Sequence, residues 1–166
     1  MPELPEVETI RCGLIPYLKG QKIQKIIVRE NRFRQKIGAE VFTGEGQIIE
    51  QIDRRGKYLL LQCQTGYFII HLGMSGRLNI VPKCQPVQKH DHIDFILSNE
   101  TILRMNDPRR FGLLLWEVGH CEKNLHLVLQ NLGLEPFSSD FTANYLFKKS
   151  NNSQQFIKQL IMDNKI

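Results

Sequence analysis

Apolar residues recur at helical spacing in the first turns of the chain and at strand spacing through most of the remainder. Val7, Ile10, Leu14 and Tyr17 form one apolar face and predict a helix from about Pro5 to Leu18. Glu3, Glu6 and Glu8 crowd its first turn, where the helix dipole favours negative charge. Pro2 and Pro5 suit a helix start, and Gly20 ends it. From Ile23 to about Glu117, short β-branched and aliphatic runs alternate with turn chemistry. The predicted strands are Ile23–Glu30, Gly46–Arg54, Tyr58–Gln62, Tyr67–Leu72, His92–Leu97, Thr101–Met105 and Leu113–Glu117. Such short strands, joined mostly by tight turns, imply a mainly β fold with some α: a two-sheet antiparallel β-sandwich with an N-terminal helix. The strand–helix alternation of a dinucleotide-binding fold is absent, and so is a phosphate-binding Gly-rich loop.

After Glu117 the pattern turns helical again. Asn124–Asn131 is one helical stretch, ended by Gly133 with Pro136 beyond. Asp140 is placed to cap a second, through Lys149, and Gln155–Met162 starts a third with Phe156, Leu160 and Ile161 inward. Gly133 is therefore the expected boundary between a sandwich domain, 1–133, and a helical part, 134–166. Helices this short have little surface on which to bury their apolar faces, so the helical part is expected to be a truncated domain.

Length and composition fit this reading. A chain of 166 residues, 42% apolar and 23% charged, can bury a core and is neither disordered nor fibrous. No apolar run reaches the length of a membrane span, and the start carries acids where a secretory signal carries bases. A soluble, cytoplasmic protein is expected. Net charge is +5, and its location says more than its size. Residues 1–110 hold 17 Lys/Arg against 12 Asp/Glu, whereas residues 111–166 hold 5 against 5. The excess is compatible with a polyanionic partner, a weak signal alone. Cys12, Cys63, Cys84 and Cys121 lie far apart with no CxxC pair, so reduced thiols are expected and not a zinc site.

Five short motifs could carry chemistry. Removal of Met1 would leave Pro2 as a secondary amine able to attack a carbonyl-like carbon, with Glu3 and Glu6 nearby to move protons. Spacing alone favours an ordinary helix start. Arg54-Arg55-Gly56-Lys57 is either a phosphate-binding cluster, with Lys57 a possible proton donor, or a solvated turn flanking a sticky strand. In His71-Leu72-Gly73-Met74-Ser75-Gly76-Arg77, Met74 is either a wedge for a base stack or part of the core. His90, His92 and Asp94 are expected on one strand face; no further metal ligand is evident, and a phosphate contact from His90 is the better functional reading. In Asp107-Pro108-Arg109-Arg110-Phe111-Gly112, Arg109 can read a base edge and Phe111 fill a gap, or the segment is a charged hairpin loop.

Taken in order, MPELPEVETIR, RRGKYLLL, IIHLGMSGRL, KHDHIDF, NDPRRFG, LGLEP and IKQLIMDNK resemble the bacterial formamidopyrimidine-DNA glycosylase family from end to end. The start separates this family from its relative endonuclease VIII. The resemblance implies removal of oxidised purines, 8-oxoguanine and formamidopyrimidines, from damaged duplex DNA, followed by abasic-site lyase cleavage. It implies that Pro2 forms an imine at C1′, Glu3 is the acid of base removal and Glu6 an accessory acid. Lys57 becomes the proton donor of the lyase stage and a phosphate contact. Met74, Arg109 and Phe111 fill the void left by the everted nucleotide, and His90 contacts the backbone. The family's helix–two-turns–helix motif and four-cysteine zinc finger are not in this sequence, so no cofactor is expected. A monomer is expected. The alternative is a non-catalytic DNA-binding remnant of such an enzyme.

Overall fold

Eight strands among the described residues, one more than the hydrophobic pattern predicts, form two four-stranded antiparallel sheets. The computed structural model describes residues 2–121, 125–151 and 153–166. Helix α1 (Leu4–Leu18) leads into β1 (Ile23–Val28) and a 3-10 turn, Ala39–Gly44. Then come β2 (Ile49–Arg55), β3 (Tyr58–Cys63), β4 (Gly66–His71), β5 (Arg77–Pro82), β6 (Asp91–Leu97), β7 (Thr101–Asn106) and β8 (Leu113–Val118). One sheet has the order β1-β6-β7-β5 and the other β2-β3-β4-β8.

The core lies between the sheets. Period-two alternation sends Leu59, Leu61 and Cys63 of β3 and Phe68 and Ile70 of β4 to one face, where they join Ile93 and Phe95 of β6 in a single cluster. Phe68 links the layers: its ring meets Phe95 at 5.1 Å and Trp116 at 4.7 Å, both edge to face. Gly44 makes room for it, since a Cβ there would lie 2.1 Å from the Phe68 ring. Helix α1 buries Val7, Leu14 and Leu18 and packs chiefly on β2.

Several sequence expectations need correction. Tyr17 is half exposed and Leu18 completes the buried stripe instead, because residues 7, 14 and 18 align better along a helix than 7, 14 and 17. Strand β5 falls where the pattern predicts no strand. It is an edge strand with Arg77 and Asn79 outward and Leu78 and Ile80 half-buried, and it ends on Pro82, which only an edge accommodates.

Leu125–Ile166 forms a second compact unit, Met1–Asn124 the first. The division lies ahead of α2 (Leu127–Gln130), not at Gly133. Gly133 belongs with the second unit because its N–H donates to the Asn164 carbonyl at 2.7 Å, and Leu134 N–H to that of Ile166 at 3.1 Å. The expected start of α2 at Asn124 lies outside the described residues. Thr142, not Asp140, caps α3 (Ala143–Ser150), its hydroxyl accepting from Tyr145 N–H at 3.1 Å. In α4 (Ile157–Ile161) only Leu160 is buried, while Phe156, expected inward, is 80% exposed as the residue before the helix, and Ile161 is also exposed. No helix of the described residues is long and apolar enough to cross a membrane.

Phe68→Ala removes the ring that joins the two sheets and is expected to cost about 3–5 kcal/mol in urea unfolding, the range for an aromatic deleted from a packed core. A loss below about 1 kcal/mol would place the core elsewhere.

Candidate functional site

Glu3 is the N-cap residue of α1, so Pro2 stands immediately ahead of the first helical turn. The backbone there is fixed from two sides. Glu3 N–H donates to Glu6 Oε2 at 3.0 Å, and the Glu3 carbonyl accepts from Val7 N–H at 3.0 Å. That leaves Glu6 holding the backbone next to Pro2, while the Glu3 carboxylate turns to Lys57, with Nζ at 2.5 Å from Oε2. Lys57 sits on the two-residue turn between β2 and β3, where Arg55 pairs with Tyr58. Gly56 opens this turn at φ 56°, the positive φ that glycine adopts without steric cost.

A second carboxylate sets the distance between helix and hairpin. Glu8 accepts from Arg11 Nη2 at 2.6 Å and from Arg54 Nε at 2.8 Å. Arg54 Nη1 donates onward to the Gly56 carbonyl at 2.9 Å, and Arg11 Nη1 to that of Ile52 at 3.1 Å. The Arg11 hydrogen bonds, followed by those of Arg54, hold the Glu8 carboxyl at about 2. Sequence reading took Glu8 only as a first-turn acid, because Arg54 lies 46 positions away.

Pro2 and Glu6 open onto a cleft of about 750 Å³, whose further walls include Met74, Ser75, Gly76, Asn106 and Pro108. Met74 is 44% and Phe111 45% exposed, so neither is a core residue. The guanidinium of Arg109 lies 4.7 Å over the Phe111 ring. Its neighbour Arg110 is turned back, at φ 56°, to Glu30 Oε2 at 3.0 Å. The Met74 and Phe111 loops touch backbone to backbone: a Cβ on Gly73 (φ 58°) would lie 2.4 Å from the Phe111 carbonyl. Gly73 N–H also donates to His71 Nδ1 at 3.0 Å. Burial, with the charges of Arg34 and Lys57, lowers the His71 pKa to about 4, so its imidazole is neutral at pH 7.

The expected common face of His90, His92 and Asp94 breaks up. His90 precedes β6 in a turn at φ 74°, and its ring centroid is 6.0 Å from that of His92. Asp94 is buried and engaged by Arg104, with Nε at 2.8 Å, and by Arg29, with Nη2 at 2.6 Å. Among the described residues no three Cys, His, Asp or Glu side chains come together as a metal site. The cysteines are separate free thiols, Cys63 buried with its pKa pushed up to about 12 by desolvation, so these residues do not fit the four-cysteine zinc site of the family that the motifs resemble.

Fold and site together define a helix-led antiparallel sandwich with Pro2 and Met74 lining one cleft. The sequence profile of the formamidopyrimidine-DNA glycosylase N-terminal domain matches residues 1–114, and the chain belongs to the formamidopyrimidine-DNA glycosylase family. It is 51% identical to formamidopyrimidine-DNA glycosylase of Photobacterium profundum and 49% to that of Yersinia enterocolitica, in each case over the whole chain and 61% of the relative. The chain thus spans about three fifths of the length of these relatives. Its fold is similar to that of Lactococcus lactis formamidopyrimidine-DNA glycosylase non-covalently bound to DNA containing an abasic site: TM-score 0.88, 29% identity, 99% of this chain and 63% of that one. The Thermus thermophilus MutM (Fpg) structure gives 0.82, 32%, 99% and 58%.

Glu8→Gln is expected to lower stability near neutral pH and to matter little near pH 2. The Glu8 pKa falls from 4.5 to about 2 on folding, so its contribution is full above about pH 4.5 and is lost as pH falls through 2. Denaturant unfolding of both proteins across that range checks this; a gap independent of pH would contradict it.

Proposed function

We propose that this chain carries the lesion-processing part of a base-excision repair glycosylase and abasic-site lyase, removing oxidised purines (8-oxoguanine and formamidopyrimidines) from duplex DNA. The observation that carries the reading is the meeting of three functions at one place: Pro2 on the cleft, the Glu3–Lys57 pair beside it, and Met74 on the opposite wall. In this reading the protein works as a cytoplasmic monomer and needs no cofactor. Residues 125–166 belong to its helical DNA-binding part, with residues 1–124 as the catalytic domain.

With Met1 removed, Pro2 is a secondary amine. Its lone pair forms the N–C1′ bond as the glycosidic bond breaks, and the base leaves with that electron pair and takes up a proton. That proton comes from Glu3, whose carboxylate then takes the N–H proton of the bonded Pro2 and passes it to O4′ as the freed nitrogen lone pair opens the C1′–O4′ bond, yielding a cationic imine. Loss of a C2′ proton then expels the 3′ phosphate, to which Lys57 supplies a proton, and water releases the amine. The 2.5 Å contact between Lys57 and Glu3 supports a proton path between these two groups. Glu6, by fixing the Glu3 amide, keeps the proline nitrogen directed at the cleft. Met74, Arg109 and Phe111 fill the gap left by the extruded nucleotide, Arg109 facing the orphaned base, while His90 and the basic excess of residues 1–110 hold phosphates.

Borohydride, which reduces an imine to a stable amine, tests this on abasic-site duplex. Protein lacking Met1 is expected to form a covalent adduct, and protein retaining Met1, whose Pro2 nitrogen is a tertiary amide, to form essentially none. Glu3→Gln is expected to keep the abasic-site adduct and to lose about 10²–10⁴-fold in 8-oxoguanine excision, the usual worth of a positioned acid. Equal adducts with and without Met1 would assign the chemistry to another amine. Salt-sensitive binding with no adduct would make the chain a non-catalytic DNA binder.

A further inference from the structure

The loops that carry Met74, His90, Arg109 and Phe111 converge on one buried carboxylate. Asp107, the residue after β7, is 0% exposed. Its Oδ1 accepts from the Ser75 hydroxyl at 2.7 Å, and its Oδ2 from Gly112 N–H at 2.8 Å. Its main chain does the same work in two more directions. Asp107 N–H donates to the His90 carbonyl at 3.0 Å, and its own carbonyl accepts from Arg110 N–H at 3.2 Å. Ser75 Oγ, already donating to Asp107, accepts in turn from Arg109 N–H at 3.2 Å. The residues that follow Phe111 and Met74 are thus tied to the same side chain.

We infer that Asp107 is a positioning residue that locks the loops 73–76 and 107–112 into one rigid rim, fixing Met74, Arg109 and Phe111 at the height required to occupy a gap in a base stack. The inference rests on the proposed role of those three side chains. Asp107 is buried and touches no substrate, so it acts only through them. A carboxylate suits the place because the groups aimed at its two oxygens are both donors. An asparagine offers one acceptor and sets its NH₂ against either the Gly112 N–H or the Ser75 hydroxyl. The left-handed backbone of Arg110, uncommon outside glycine, is held by the Asp107 carbonyl and the Glu30 ion pair. Release of these bonds frees the loop to relax and lets Phe111 and Arg109 drift. A displacement of about 1 Å in such a positioning group is enough to cost up to about 10²-fold in rate.

Rate of borohydride trapping is the readout, on two DNAs with the same abasic site: a duplex, where a gap must be filled, and the single strand, where none exists. Asp107→Asn and Ser75→Ala are each expected to slow duplex trapping about tenfold and to leave single-strand trapping within about twofold. Met74→Ala, costly alone, is expected to add little in the Asp107→Asn background, since residues acting as a unit are not additive. Ser75→Ala removes one link without touching the buried charge, and it carries the test if Asp107→Asn does not fold. Equal losses on duplex and single strand, or additive losses with Met74→Ala, would overturn the clamp and leave the imine reading standing. Wild-type protein that forms no adduct on either DNA would overturn both.

Discussion

The grip of Arg11 and Arg54 on Glu8 is the constraint on which the site depends. It joins the first turns of α1 to β2, and through the Gly56 carbonyl it reaches the turn that carries Lys57. Without it, the residue that heads the helix and the lysine that heads the hairpin belong to two elements joined mainly by non-directional apolar packing. With it, Glu3 and Lys57 meet as an ion pair and Pro2 is left on the cleft. The pair itself is half solvated, and exposed pairs of that kind contribute little to stability. In the proposed reading its worth lies in placing a proton-carrying pair next to the Pro2 nitrogen.

The opposite wall is built on the same logic with different parts. Met74 and Phe111 stand outward on two adjoining loops. Their backbones are packed against each other through Gly73 and held from beneath by hydrogen bonds to Asp107. A rigid base under an exposed tip is what a wedge requires, because a side chain that must replace stacked bases gains nothing if the loop beneath it yields. The loop also divides its two arginines: Arg110 is spent on Glu30, while Arg109 lies over the Phe111 ring.

Much of this was legible in the sequence, and the failures share a cause. Alternation and turn residues located α1 and the strands other than β5, since each depends on neighbours a few positions away. Strand β5 was hidden by its place at a sheet edge, where a polar side and a terminal proline are tolerated. Motifs single out Pro2, Glu3, Lys57, Met74, Arg109 and Phe111 as candidates. They do not single out the groups that hold them: Glu8 and Asp107 act through partners 46 and 32 positions away, and no local pattern encodes such pairing. His90 was misplaced for a related reason, as its left-handed turn depends on a bond to Asp107. In the second unit, Asp140 and Phe156 fit helical rules that Thr142 and Leu160 satisfy instead.

In the proposed reaction the nitrogen of Pro2 is the nucleophile, and Lys57 beside it is a proton carrier. Mass-spectrometric mapping of the reduced protein–DNA adduct tests this most directly. The expected result is a deoxyribose remnant on the peptide that begins with Pro2, and an unmodified Lys57. A remnant on Lys57, with an unmodified proline terminus, would contradict the account.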